Sequence, residues 1–204
     1  GRVLEQPNVE WLQTLAKVGH PFGNHTYDHV NVHARKPSEL QFRFERSPWL
    51  IEGRTPADVI RDNIRLTTVA LKQRAGIDNR GFRTPGGFSE GLNGREDLQK
   101  MLQSLGFPWV SSLYPIHAVT KPHEQPSADV YDSIVAAQAA AQPFVYPTGL
   151  IEIPMSPIPA ITWAPLRKQQ ILHLSTVKVP KQTAVMHPAL PRNRLGIPSK
   201  LSIS

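Results

Sequence analysis

Two histidines four residues apart, in His25-Thr26-Tyr27-Asp28-His29, are the side chains whose type and spacing are best suited to chemistry. On a helix that spacing stacks both imidazoles on one face, near enough to share a divalent cation. The same spacing also fits a partly exposed helix start with no ligand, and the pair alone does not separate the two. Asp28 lies between the histidines and is expected to point away from their shared face. His33 continues the row by four residues, but Val30, Asn31 and Val32 disfavour a helix that far. Cysteine is absent, so any metal must sit on His, Asp or Glu. Disulfides, thiolate zinc sites and a cysteine nucleophile are excluded together.

A second group is Arg83-Thr84-Pro85-Gly86-Gly87. An arginine held by a rigid Pro-Gly loop is suited to orienting or neutralising a carboxylate, and the glycines allow a close backbone approach to a substrate. The competing reading is a surface turn with a solvated arginine.

The elements that must position these residues follow from periodicity. Trp11, Leu12, Leu15, Ala16 and Val18 recur at helical spacing, which predicts a helix over 9–18 with Asn8 as N-cap, Gly19 beyond its end and Trp11 in the core. Thr55-Pro56-Ala57-Asp58 reads as an N-cap with proline at the first helical position, opening a helix of about five turns that ends at Gly76. Residues 80–83 read as a strand end, and Thr84-Pro85-Gly86-Gly87 as a loop that continues neither helix nor sheet. A helix over 96–105, a strand over 109–113, an alanine-rich helix over 127–142 and a strand over 150–154 complete the pattern. Helices alternating with short strands predict an α/β fold with a parallel sheet or barrel and functional residues at the strand ends. His117 and His123, beside prolines, read as loop residues.

All 16 acidic residues lie at or before Glu152, while residues 153–204 carry 7 Lys and Arg and no acid. The net charge of +7 therefore belongs to the tail. The tail lacks aromatic interleaving and periodicity, so it reads as a solvated run and no nucleic-acid partner is expected. No stretch has the length and apolarity of a membrane span, and no signal peptide is visible at the start of the sequence. One folded region over 1–160 and a basic, acid-free tail over 161–204 are expected.

Together, Gly-Asn-His-Thr leading into the His25/His29 pair and Arg83-Thr84-Pro85 resemble the second and third motifs of the polysaccharide deacetylase family. The resemblance runs from about Asn8 to Pro157. It implies a deformed (β/α) barrel, incomplete at the N-terminus, in which His25 and His29 bind a divalent metal, most simply zinc. It further implies that Arg83 braces a catalytic base, and that Pro85, Gly86, Gly87 and Trp109 line the substrate groove. The implied substrate is an acetylated carbohydrate or a small amide. The late acid of the family is matched best by His187, in Ala184-Val185-Met186-His187-Pro188, and more weakly by His173. Two departures stand out. No Asp precedes Asp28, so the motif that supplies the base and third metal ligand is missing, and Gly86 stands where the family has an aromatic residue. The chain thus reads either as a metal-dependent deacetylase or as a fragment or degenerate, non-catalytic homologue with a two-histidine site. The stretch 30–53, with Phe42, Phe44, Trp49 and Leu50, is expected to cover the groove.

Overall fold

The structure is a computed structural model, and it describes residues 2–121 and 124–157. Its helices are α1 (Arg2–Glu5), α2 (Glu10–Lys17), α3 (Arg43–Arg46), α4 (Pro56–Ala75), α5 (Glu96–Ser104) and α6 (Ala128–Ala137). Its strands are β1 (Gly23–Asn24), β2 (Gly81–Phe88), β3 (Trp109–Leu113), β4 (Phe144–Val145) and β5 (Ile151–Glu152). They form one sheet in the order β1-β2-β3-β5-β4, parallel throughout except for the antiparallel β4–β5 pair. This is an α/β architecture with α4 and α5 as crossovers between successive parallel strands, as such pairing requires. Among the described residues no helix is long and apolar enough to cross a membrane.

Local sequence signals account for α4 in detail. Thr55 Oγ1 accepts the Asp58 N–H at 3.2 Å, Pro56 occupies the first turn, and Gly76 closes the helix at φ 68°. The Gly76 and Ile77 N–H groups return to the carbonyls of Lys72 and Leu71, satisfying groups that a helix end leaves open. Replacing Thr55 by Ala is expected to lower stability by about 1 kcal/mol in urea denaturation, the usual worth of an N-cap. The buried face of α4 carries Val59, Ile60, Ile64 and Leu71, but also Asn63 and Thr67. Val59, Ile60 and Ile64 pack with Phe82, Leu98, Leu102, Phe107 and Val110 in the main core. A smaller cluster joins Leu4, Val9 and Leu12 to Leu71, Ala75 and Ile77.

Several expectations are corrected. Helix α2 buries Leu12 and leaves Trp11 47% exposed, because adjacent residues face about 100° apart on a helix. The N-cap is Val9, not Asn8, and has no capping side-chain bond; Asn8 Oδ1 accepts the Glu10 N–H at 2.8 Å from one position further out. Thr84 to Gly87 lies within β2, not in a loop outside it. The pairing register nevertheless jumps there, from Arg83 opposite Ser111 to Phe88 opposite Leu113. Pro85 has no N–H to give and Gly86 sits at φ 82°, so the ladder bulges around them. The helix expected over 127–142 is α-helical only to Ala137 and continues as a 3-10 turn over Gln138–Ala141.

Candidate active site

The His25–His29 segment is not helical. Thr26 and His29 have φ of 58° and 59°, left-handed values that break the expected helix. Side-chain bonds replace the helical ones. Asn24 Oδ1 accepts the Thr26 N–H at 2.9 Å, and Thr26 Oγ1 accepts the Val30 N–H at 3.2 Å. The segment is anchored to α4 from below. Asn24, fully buried, donates to the Ile64 carbonyl at 2.8 Å and to Thr68 Oγ1 at 3.0 Å. Asn63 grips Asp28 from both sides, accepting its N–H at 2.7 Å and donating to its carboxylate at 3.0 Å. Arg43 pairs with the same carboxylate at 3.4 Å. Asp28 is thus committed to holding the loop through Asn63 and Arg43.

The loop still brings the two imidazoles together, with ring centroids 5.0 Å apart in an edge arrangement. His25 Nδ1 lies 3.0 Å from the Arg83 carbonyl oxygen. A carbonyl only accepts, so Nδ1 carries the proton and the neutral ring keeps its free lone pair on Nε2. Desolvation by the surrounding protein holds the His25 pKa below its ordinary value, and charge on His29 and Arg83 pushes the same way against the raising effect of the carbonyl. His25 lines a cleft of about 610 Å³ together with Asn24, Arg83, Trp109, Ser111 and Met155. His29 faces a separate cleft with Tyr27, Phe42, Arg43 and Arg46.

Comparison with family models settles the ancestry: a model described as polysaccharide deacetylase matches residues 4–110. The chain belongs to the polysaccharide deacetylase family. No curated protein and no solved structure matched it.

The matched span of this deacetylase-family chain contains His25, His29, Arg83 and Trp109, and three of these four share the first cleft. Arg83 donates to Ser111 Oγ at 3.3 Å on the neighbouring strand. Gly81 is reserved for the Trp109 ring, since a methyl group there would stand 1.8 Å from it. Pro85 is buried, Gly86 and Gly87 are exposed, and all three stand outside the lining of that cleft. Gly87 packs against Tyr114, whose Cβ would lie 2.7 Å from any side-chain carbon at that position. His187, His173 and His123 lie outside the described residues. His117 is a loop residue hydrogen-bonded to the Tyr114 hydroxyl at 3.0 Å.

The sequence reading missed Asn24, Asn63 and Ser111. The available signal was Asn63 and Thr67 falling on the apolar face of α4, where a polar residue needs a partner. His33 does not join the histidine pair: its ring lies tilted against Phe88, centroids 4.2 Å apart, and its carbonyl accepts from Arg95 at 3.0 Å. Burial, then the Arg95 charge, hold the His33 pKa below 6.5. A lowered histidine pKa favours the neutral ring in the fold, so its contribution to stability is complete above pH 6.5 and is lost as pH falls through the lowered value. The urea midpoint is expected to drop between about pH 7.5 and about pH 5.5, and to drop less in His33→Gln. An equal drop in the variant would remove His33 as a source.

Proposed function

We propose that this chain carries the histidine half of a divalent-metal centre, zinc being the best match, that serves removal of acetyl groups from a carbohydrate or hydrolysis of a related non-peptide amide. Family membership supports the carbohydrate deacetylase reading. The observation that carries the metal assignment is the His25–Arg83 carbonyl hydrogen bond beside His29. The donor set fits: the ring is fixed in the tautomer a ligand needs, its neutral form is favoured, and its outer nitrogen is held by the backbone, as in well-built histidine sites. When bound, such a metal supplies a Lewis acid and lowers the pKa of water.

Three further roles fall to this chain's own groups, alongside a base that its matched motifs do not include. Arg83, steadied by Ser111, orients and neutralises a carboxylate base. Trp109 presents an aromatic wall to the sugar in the cleft that His25 enters. His187 donates a proton to the departing amine, a poor leaving group without one. In this reading the five-stranded sheet is an arc of the deformed (β/α) barrel, residues 1–160 form the deacetylase-like domain, and 161–204 are a basic tail.

A second reading is favoured by a specific observation. Among the described residues no three His, Asp or Glu side chains gather as a metal cluster, and Asp28 is held by Asn63 and Arg43. A scaffold with a two-histidine site and no turnover satisfies both facts. Acetate release from acetylated chito-oligosaccharide, measured with zinc and with chelator, separates the two. Zinc-dependent release supports the deacetylase; zinc uptake without release supports the scaffold.

A further inference from the structure

Two consecutive residues before α3, Gln41 and Phe42, have φ of 68° and 52°. At φ 52° and ψ −111° Phe42 occupies backbone space that favours glycine. A phenylalanine held there needs a reason, and its own burial does not supply one, since it is 45% exposed. Its neighbours Leu40 and Phe44 are the residues of this stretch that enter the core. What the strained conformation does achieve is to set the Phe42 ring edge-on to His29, centroids 5.3 Å apart and planes at 81°. The ring thereby forms one wall of the cleft of about 570 Å³ that His29 enters. Asp28, Arg43 and Arg46 line the same cleft.

A half-exposed aromatic ring in a cleft shared with guanidinium groups is the chemistry that receives a hydroxylated ring. The C–H face of a pyranose lies on the aromatic surface and its hydroxyls reach the guanidinium groups. His25 lines the cleft that holds Trp109 and His29 lines the one that holds Phe42, so each histidine of the pair shares its cleft with an aromatic residue. Gly86 leaves the third-motif position without an aromatic side chain.

We propose that Phe42, through its strained backbone, is the platform of a second sugar subsite on the His29 side, which makes the site selective for oligosaccharides over single sugars. The proposal rests on the carbohydrate reading above and names the residue that would set chain-length preference.

The test is calorimetric titration of the 204-residue chain with zinc, chitotetraose and N-acetylglucosamine, for wild type, Phe42→Gly and Phe42→Tyr. Phe42→Gly relieves the backbone and removes the ring. It is expected to weaken tetraose binding about tenfold, leave the monosaccharide unaffected, and hold or raise Tm, while Phe42→Tyr restores tetraose affinity. An unchanged tetraose affinity in Phe42→Gly overturns the proposal. So does a lowered Tm, which would make the ring part of the fold. If wild type takes up neither zinc nor tetraose, the function proposed above fails first. If wild type and Phe42→Gly take up both equally, only the subsite fails.

Discussion

Replacing Glu152 by alanine is expected to lower unfolding stability by about 3 to 5 kcal/mol, the largest effect of any single substitution considered for this fold. The side chain is fully buried, and its carboxyl group accepts four hydrogen bonds. Oε1 receives the N–H groups of Ser112 at 2.7 Å and Leu113 at 3.0 Å. Oε2 receives the Ser112 hydroxyl at 2.5 Å and the Tyr146 hydroxyl at 2.9 Å. Tyr146 in turn accepts the Leu92 N–H at 2.9 Å, so the cluster ties β3 and β5 to the turn before α5. Burial first, with the carboxyl group of Glu152 adding to it, pushes the Tyr146 hydroxyl up to about 12, which keeps it a donor at any physiological pH. Alanine at 152 strands all four donors in a site where each unpaired group costs about 1–3 kcal/mol, less what entering water returns. Glu152→Gln keeps one acceptor oxygen but turns an amide donor toward other donors, so an intermediate loss is expected. Urea denaturation of both variants checks this. A Glu152→Ala loss below about 1 kcal/mol would mean that the network adds little.

The double variant His25→Ala/His29→Ala is expected to lose zinc affinity by about 100-fold or more, equivalent to about 2.8 kcal/mol. Both residues lie at the surface, outside the core clusters, so the Tm of the metal-free chain should stay where it is. Loss of affinity without loss of stability is what separates a ligand pair from a structural one. Asn24→Ala provides the complementary case. It keeps both imidazoles but removes the bonds to Thr26, Ile64 and Thr68 that hold their loop, so it should weaken zinc about 10-fold, on the scale of lost second-shell support. Calorimetric zinc titration of the three chains decides the matter. Equal affinity in wild type and the double variant would move the metal to other residues.

The two expectations rest on parts of the molecule that were very differently visible beforehand. By itself the sequence determined the features whose physics is local. Thr55, Pro56, Asp58 and Gly76 mark both ends of α4 because capping bonds span only a few residues. The alternation of helices with strands was legible for the same reason, and so was the family, through residues that stand together in short motifs. Only the tertiary structure decided the rest. The histidine spacing pointed to a helix, and the rings instead meet in a loop because loop residues Asn24 and Asp28 bind Ile64 and Asn63 of α4, 40 and 35 residues away. The tautomer of His25 is set by a carbonyl 58 residues away. In Leu150-Ile151-Glu152-Ile153 the glutamate is buried while both isoleucines are 40% exposed, and Ile153 lines the cleft of His25. Hydropathy alone would turn that strand the other way. Four donors from Ser112, Leu113 and Tyr146, brought together only by the fold, outweigh the preference of two isoleucines for the interior.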